Sequence, residues 1–263
     1  MKFPPKKSLG QNFLLNKVII KNIVELAQIT EDSTIIEIGP GTGNLTEEII
    51  KKKPKNFFAI EKDKNLCVEL NKKFNSGIEI INEDILNVNW DKFSSYSLII
   101  FGNLPYNISS KILINLIQLN NVKKRFNKLI LMFQKEVADR LIAKVNSSKY
   151  GRLTILTEWK FNTKKVFDIN PENFYPAPKV KSSLICLEPK NNIFKFSNPK
   201  SLEKVTNIFF QNRRKMIKKS INILFKENKS IIKKLNLDEK FRPQNLLPSK
   251  YFEIAKIYED RIS

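Results

Sequence analysis

The 263-residue chain contains no histidine. That absence excludes Ser-His and Cys-His nucleophilic catalysis, an imidazole general base and every histidine-ligated metal site. Whatever chemistry occurs proceeds without a side chain that ordinarily titrates near neutrality. Cysteine is almost as scarce. Cys67 and Cys186 have neither the number nor the spacing of a disulfide framework or a thiolate metal site, and both lie in apolar segments. No apolar run reaches the roughly 18 residues that a membrane span requires. The lysines of residues 1–10 are not followed by an apolar stretch, so no secretory leader is expected and the expected location is the cytoplasm.

Acidic residues are in deficit: 26 Asp and Glu stand against 47 Lys and Arg, for a formal net charge of +21. Such an excess points to a polyanionic partner, either nucleic acid or an anionic membrane surface. A general abundance of lysine can supply part of it. The size of the imbalance over acids favours nucleic acid. The length suits one large domain, or one large and one small, with ample core.

Apolar periodicity predicts an amphipathic helix over 17–28 and then an alternation of elements. Strands are expected over 34–38, 56–60, 78–81, 98–101 and 128–133, with helices over 45–52, 64–74, 109–119 and 135–145. Further strands are expected over 153–161, 164–169 and 183–187. The fold class that follows is α/β, a mainly parallel sheet covered on both faces. A polar segment over 188–192 reads as a linker, so residues 1–189 and 190–263 are expected as two domains. Beyond the linker, helices are expected over 202–210, 215–225, 229–235 and 251–258. From residue 191 onward 17 basic residues face 7 acidic ones, so this helical part carries +10 of the +21.

Two motifs end apolar runs. The first is Glu37-Ile38-Gly39-Pro40-Gly41-Thr42-Gly43, a glycine-rich turn that lets backbone approach a ligand closely. Asn44 stands where a dinucleotide fingerprint has its third glycine, so with no pyrophosphate to cradle S-adenosylmethionine is the better ligand. Glu61 closes the next strand, placed to take both hydroxyls of a ribose, and Asp84 follows the third, placed to accept from an adenine amine. Taken singly, each acid is more simply a solvated strand end. Three acid- or glycine-bearing strand ends in succession argue for a site.

The second motif is Asn103-Leu104-Pro105-Tyr106. An adenine N6 amine is a poor nucleophile because its lone pair is delocalised into the ring. Two acceptors on its hydrogens, the Asn103 side-chain oxygen and a main-chain carbonyl held by Leu104-Pro105, would localise that pair. The Tyr106 ring can stack on the base, an interaction of about 1–3 kcal/mol on other aromatic platforms. In Asn173-Phe174-Tyr175-Pro176-Ala177-Pro178, Phe174 is a candidate for the other side of the base, with core packing as the alternative.

Carrying these motifs, the chain resembles the ribosomal RNA adenine dimethyltransferase family. The resemblance also rests on Leu9-Gly10-Gln11-Asn12-Phe13-Leu14, Gln134-Lys135-Glu136-Val137, Tyr150-Gly151-Arg152-Leu153, Pro178-Lys179-Val180 and Arg213-Arg214-Lys215. It implies a Rossmann-like methyltransferase domain followed by a small helical domain. It further implies S-adenosylmethionine as methyl donor without a metal, and small-subunit rRNA in a pre-30S particle as partner of a monomeric enzyme. Carried over by position, Asn12, Leu14, Gly39, Glu61, Asp84 and Asn103 line the cofactor site. Asn103, Leu104, Pro105 and Tyr106 hold the target amine, Phe174 packs on the base, and Arg213, Arg214 and Lys215 touch RNA. The implied reaction is dimethylation of two adjacent adenosines near the 3′ end of small-subunit rRNA. The alternatives are a large-subunit adenine methyltransferase of the antibiotic-resistance type and a ribosome-assembly factor without turnover.

Overall fold

The computed structural model describes residues 4–74, 77–225 and 228–262. The chain divides into two compact units, Met1–Ala138 with Thr163–Pro189, and Asp139–Asn162 with Lys190–Ser263.

In the first unit a two-residue strand, β1 (Phe13–Leu14), precedes α1 (Lys17–Glu25). The alternation then runs β2 (Thr34–Ile38), α2 (Asn44–Ile50), β3 (Asn56–Glu61), α3 (Lys64–Phe74), β4 (Glu79–Asn82) and β5 (Leu98–Asn103). It continues through α4 (Ser109–Gln118), the short α5 (Val122–Arg125), β6 (Phe126–Gln134) and α6 (Lys135–Leu141). After α7 (Arg152–Lys160), the strands β7 (Phe161–Ile169), β8 (Phe174–Tyr175) and β9 (Ser182–Pro189) follow. Seven strands form one sheet in the order β4-β3-β2-β5-β6-β9-β7, while β1 and β8 make a separate antiparallel ribbon. Neighbours from β4 across to β6 are parallel, and β9 runs antiparallel to β6. This is the expected α/β architecture.

Parallel strands covered on both faces read as unbroken apolar runs, because alternate side chains enter opposite layers. Ile35, Phe57 with Ala59, Ile99 with Phe101, and Ile130 with Met132 join one core cluster with Ile20, Ile23 and Val24 of α1. Ile36, Ile100, Leu129 and Leu131, one residue out of phase, are just as completely buried. Each such side chain contributes about 1.5–3 kcal/mol by leaving water.

The second unit contains α7 together with α8 (Lys200–Gln211), α9 (Ile217–Leu224), α10 (Asn228–Lys234) and α11 (Pro248–Ile262). Among the described residues no helix is long and apolar enough to cross a membrane.

Two expectations are corrected here. The strand expected over 153–161 is the helix α7. Its residues Thr154, Ile155, Leu156, Thr157 and Trp159 are all buried, so the segment lacks the polar face that would reveal a helical period. Thr157 Oγ1 donates to the Leu153 carbonyl at 2.7 Å, which reconciles a β-branched residue with the helix. The domain boundary also differs from a single break near residue 190, because residues 139–162 group with the C-terminal helices. Hydrogen bonds across that sequence distance explain the grouping. Tyr150 Oη donates to the Leu246 carbonyl at 2.9 Å, and Trp159 Nε1 to the Phe194 carbonyl at 2.7 Å.

Candidate active site

Because β2, β3, β4 and β5 are parallel, the turns that follow them open on one edge of the sheet. A cavity of about 270 Å³ lies at this edge. It is near the lower end of small-molecule sites, which begin at about 300 Å³. Both motifs meet there. Gly39, Glu61 and Asp84 line it from the first three strand ends, and Asn103, Leu104, Pro105 and Tyr106 line it from the fourth. Asn12 and Leu14 line it from the N-terminal segment.

The glycine-rich turn is shaped by two residues in particular. Gly39 and Gly41 have φ of +67° and +59°, the left-handed region that side chains disfavour. A Cβ at Gly39 would meet no atom within 4 Å, so the turn presents bare backbone to the cavity. A Cβ at Gly41 would lie 2.7 Å from the Phe13 ring, which packs directly on the turn.

Glu61 is 7% exposed, and both its carboxylate oxygens are engaged by backbone. Oε2 accepts from Gly41 N at 3.2 Å and Oε1 from Asp63 N at 2.8 Å. Burial raises its pKa, and those two N–H groups oppose the rise. The carboxylate is therefore oriented, with remaining lone pairs available to hydroxyl donors. Asp84 is held differently. Its Oδ1 accepts from Leu86 N at 3.0 Å and its Oδ2 from Lys62 Nζ at 2.9 Å, and these bonds keep it below the usual carboxylate range.

Asn103 closes β5, where its Nδ2 donates to the Asn12 carbonyl at 2.6 Å. The opposite amide orientation would set oxygen against oxygen, so the contact leaves Oδ1 as the acceptor for a ligand. Leu104 is 1% exposed and anchors the loop in the core, while Pro105 fixes the next φ. The Tyr106 hydroxyl shares a 2.6 Å hydrogen bond with Ser182 Oγ on β9. Burial raises its pKa, so the ring is a fixed platform with a neutral phenol.

Phe174 does not take the place expected of it. It is 4% exposed, sits opposite Leu14 in the β1–β8 ribbon and belongs to the hydrophobic core. Its neighbour Tyr175 pairs with Phe13, faces the other side of the ribbon and is 47% exposed. In the second unit, Arg213 departs from its sequence neighbours. Its guanidinium donates to the Ser147 carbonyl at 3.4 Å, to the Ser148 carbonyl and to Gln244 Oε1, so it braces a loop. Arg214 and Lys215 instead line a groove of about 730 Å³ with Met216, Lys218, Lys240 and Arg242.

Two buried acids near the cavity were given no role by the sequence reading. Asp63 lies two residues beyond Glu61. Glu37 was visible as an acid inside an apolar strand, but only the fold shows it 2% exposed. Its Oε2 accepts from Thr46 Oγ1 at 2.7 Å. Burial, with a further push from Glu61, raises its pKa from 4.5 to about 8. The folded state thus holds a proton that the unfolded chain releases above pH 4.5. This contribution to stability is complete below pH 4.5 and disappears progressively as the pH rises to about 8. A Glu37→Gln variant keeps an acceptor for Thr46 and should lose this component. In thermal melts of the ligand-free protein, its advantage over wild type should grow from pH 4.5 to about 8. Parallel profiles would show that Glu37 ionises freely in the fold.

The chain is similar to known proteins in sequence and in fold. The family described as ribosomal RNA adenine dimethylase matches residues 3–260. A ribosomal RNA small subunit methyltransferase A from Pelagibacter ubique (strain HTCC1062) is 51% identical over 255 residues, 97% of each chain. A dimethyladenosine transferase from Plasmodium falciparum superposes with a TM-score of 0.80 at 27% identity, covering 92% of this chain and 95% of its own. A 23S rRNA methyltransferase, ErmE, shares the fold with a TM-score of 0.68 at 21% identity, covering 94% and 99% of the two chains. The chain is a methyltransferase and belongs to the ribosomal RNA adenine dimethylase family.

Proposed function

We propose that this enzyme uses S-adenosylmethionine to place two methyl groups on N6 of each of two adjacent adenosines in the 3′-terminal hairpin of small-subunit rRNA. It would do so as a cytoplasmic monomer acting on a pre-30S particle. The observation that carries the reading is the meeting of the glycine-rich turn and the Asn103–Tyr106 loop in one cavity. The 51% identity over 97% of both chains favours the small-subunit substrate over the large-subunit alternative.

The residues fit an adenosine-bearing sulfonium donor. Glu61 would take the two ribose hydroxyls, Asp84 the adenine amine, and the bare backbone at Gly39 the close approach of the ligand. Asn12, Leu14 and Asn103 complete this pocket. When bound, the donor supplies a methyl group already activated on sulfur, so the reading gives a metal no part. Asn103 Oδ1 and the Leu104 carbonyl, held by Pro105, would accept from the two hydrogens of the target amine and localise its lone pair. The Tyr106 ring would support the base, and the product proton would leave to water. Phe174 would act from behind, holding Leu14 in place. Arg214 and Lys215, with the other cations of their groove, would contact rRNA phosphates, and Arg213, bonded to the Ser147 and Ser148 carbonyls through Nη2, would add its Nη1 donors to them.

The test is incubation of the purified protein with labelled S-adenosylmethionine and unmethylated small subunits, followed by mass-spectrometric mapping of the rRNA. N6,N6-dimethyladenosine at the paired hairpin positions is expected. Modification of large-subunit rRNA alone would overturn the substrate, and binding without transfer would favour an assembly factor.

A further inference from the structure

Residues 4–15 form a strap across the cavity edge, and its attachments converge on one acid. Asp63 is 5% exposed. Its Oδ1 accepts from Lys6 Nζ at 2.7 Å and from Asn65 N at 3.1 Å, while Oδ2 accepts from Gln11 Nε2 at 3.2 Å. Gln11 Oε1 in turn accepts from Lys6 N at 2.7 Å, which closes the strap into a loop around the carboxylate. Burial opposes ionisation of Asp63, but the bonds from Lys6 and Gln11 outweigh it and hold its pKa low.

The residue after Gln11 is Asn12, whose carbonyl orients the Asn103 amide at 2.6 Å. The strap is also seated directly on the target-base loop. A Cβ at Gly10 would lie 3.3 Å from Asn107 Oδ1 and 3.5 Å from Pro105 Cβ. Further along, Asn44 Nδ2 donates to the Leu14 carbonyl at 2.8 Å, so the far end is tied to the cofactor turn.

We propose that Asp63 is a positioning residue for methyl transfer: by clasping Lys6 and Gln11 it registers the strap so that the Asn12 carbonyl holds Asn103 with Oδ1 toward the substrate. Asp63 touches neither donor nor base. It acts through the strap, whose residues from Ser8 to Leu14 line the same cavity, so loosening it weakens donor binding as well as turnover. This inference rests on the functional reading above.

Asp63 also caps α3, and the test must separate that duty. Asp63→Asn keeps a capping oxygen, since asparagine caps as well as aspartate, but removes the charge that holds Lys6. Gln11→Leu leaves the cap untouched and removes the bond next to Asn12. Binding of S-adenosylhomocysteine would be measured by calorimetry, and kcat and KM on unmethylated small subunits. Each variant should raise the Kd and lower kcat roughly tenfold, the scale of one hydrogen bond to a charged group. The KM for RNA should be unchanged, and Gln11→Leu should remain folded, with only the modest fall in melting temperature that the loss of its strap bonds entails. The double variant should fall little below either single, because both act through one connection. Wild-type kcat and Kd in the variants, or a loss confined to melting temperature, would overturn the positioning role while leaving the cofactor reading intact. A wild-type protein that fails to bind S-adenosylhomocysteine would remove the cofactor reading and this inference together.

Discussion

Asn103→Ala should bind small subunits as wild type does and methylate them about 10²–10³ times more slowly. That is the usual consequence of removing one preorganised polar group from a site of developing charge. The expectation follows from geometry. With Nδ2 committed to the Asn12 carbonyl, Asn103 has one acceptor atom left, and nothing in alanine replaces it. Asn103→Asp separates the two duties of the amide. The carboxylate can still accept from an amine, but it can no longer donate to Asn12, and like partial charges then face each other at hydrogen-bond distance. Its kcat should therefore also collapse, although an acceptor is present. Single-turnover transfer with saturating donor, alongside an RNA-binding isotherm, measures both quantities. Full activity in the alanine variant would dispose of the acceptor role.

Glu61→Gln should weaken S-adenosylhomocysteine binding roughly 10–100-fold, on the scale of hydrogen bonds to a charged group. Two backbone N–H groups, from Gly41 and Asp63, now point at separate oxygens of one carboxylate. A glutamine has a single oxygen, so one of those donors would confront an NH₂ group. The variant also loses the charge that favours hydroxyl donors from a ribose. At saturating donor its kcat should stay within a few-fold of wild type, because Glu61 is remote in role from the target amine. Calorimetry reads the Kd directly, and an unchanged value would mean that the ribose is held elsewhere.

The two expected effects differ in kind because the site has two halves, both of which were legible in the sequence, whereas the strap that joins them was not. The glycine-rich turn, Glu61, Asp84 and the Asn103–Tyr106 loop were readable because each ends an apolar run, and parallel strands bring such ends to one edge. The strap was not readable. Gln11-Asn12-Phe13-Leu14 is, by composition, only a polar turn before a helix. Its place depends on Asp63, which lies 52 residues from Gln11. The helix α7 was misread for a related reason. Burial on nearly all sides removes the period by which a helix is recognised, and only contact with its neighbours supplies the cause.

Local rules carried the sequence a long way. Alternating apolar runs determined an α/β fold with a mainly parallel sheet, the strand-end turns determined which residues gather at one cavity, and the missing histidine determined which chemistries are closed. Tertiary structure decided what depends on distant partners. It oriented the Asn103 amide through Asn12, turned Phe174 into the core, drew Arg213 onto the Ser147 and Ser148 carbonyls, and buried Glu37 until its carboxyl favours a proton. A residue's type sets what bonds it can make, but which of them it makes is settled by what the rest of the chain places within about 3 Å of it.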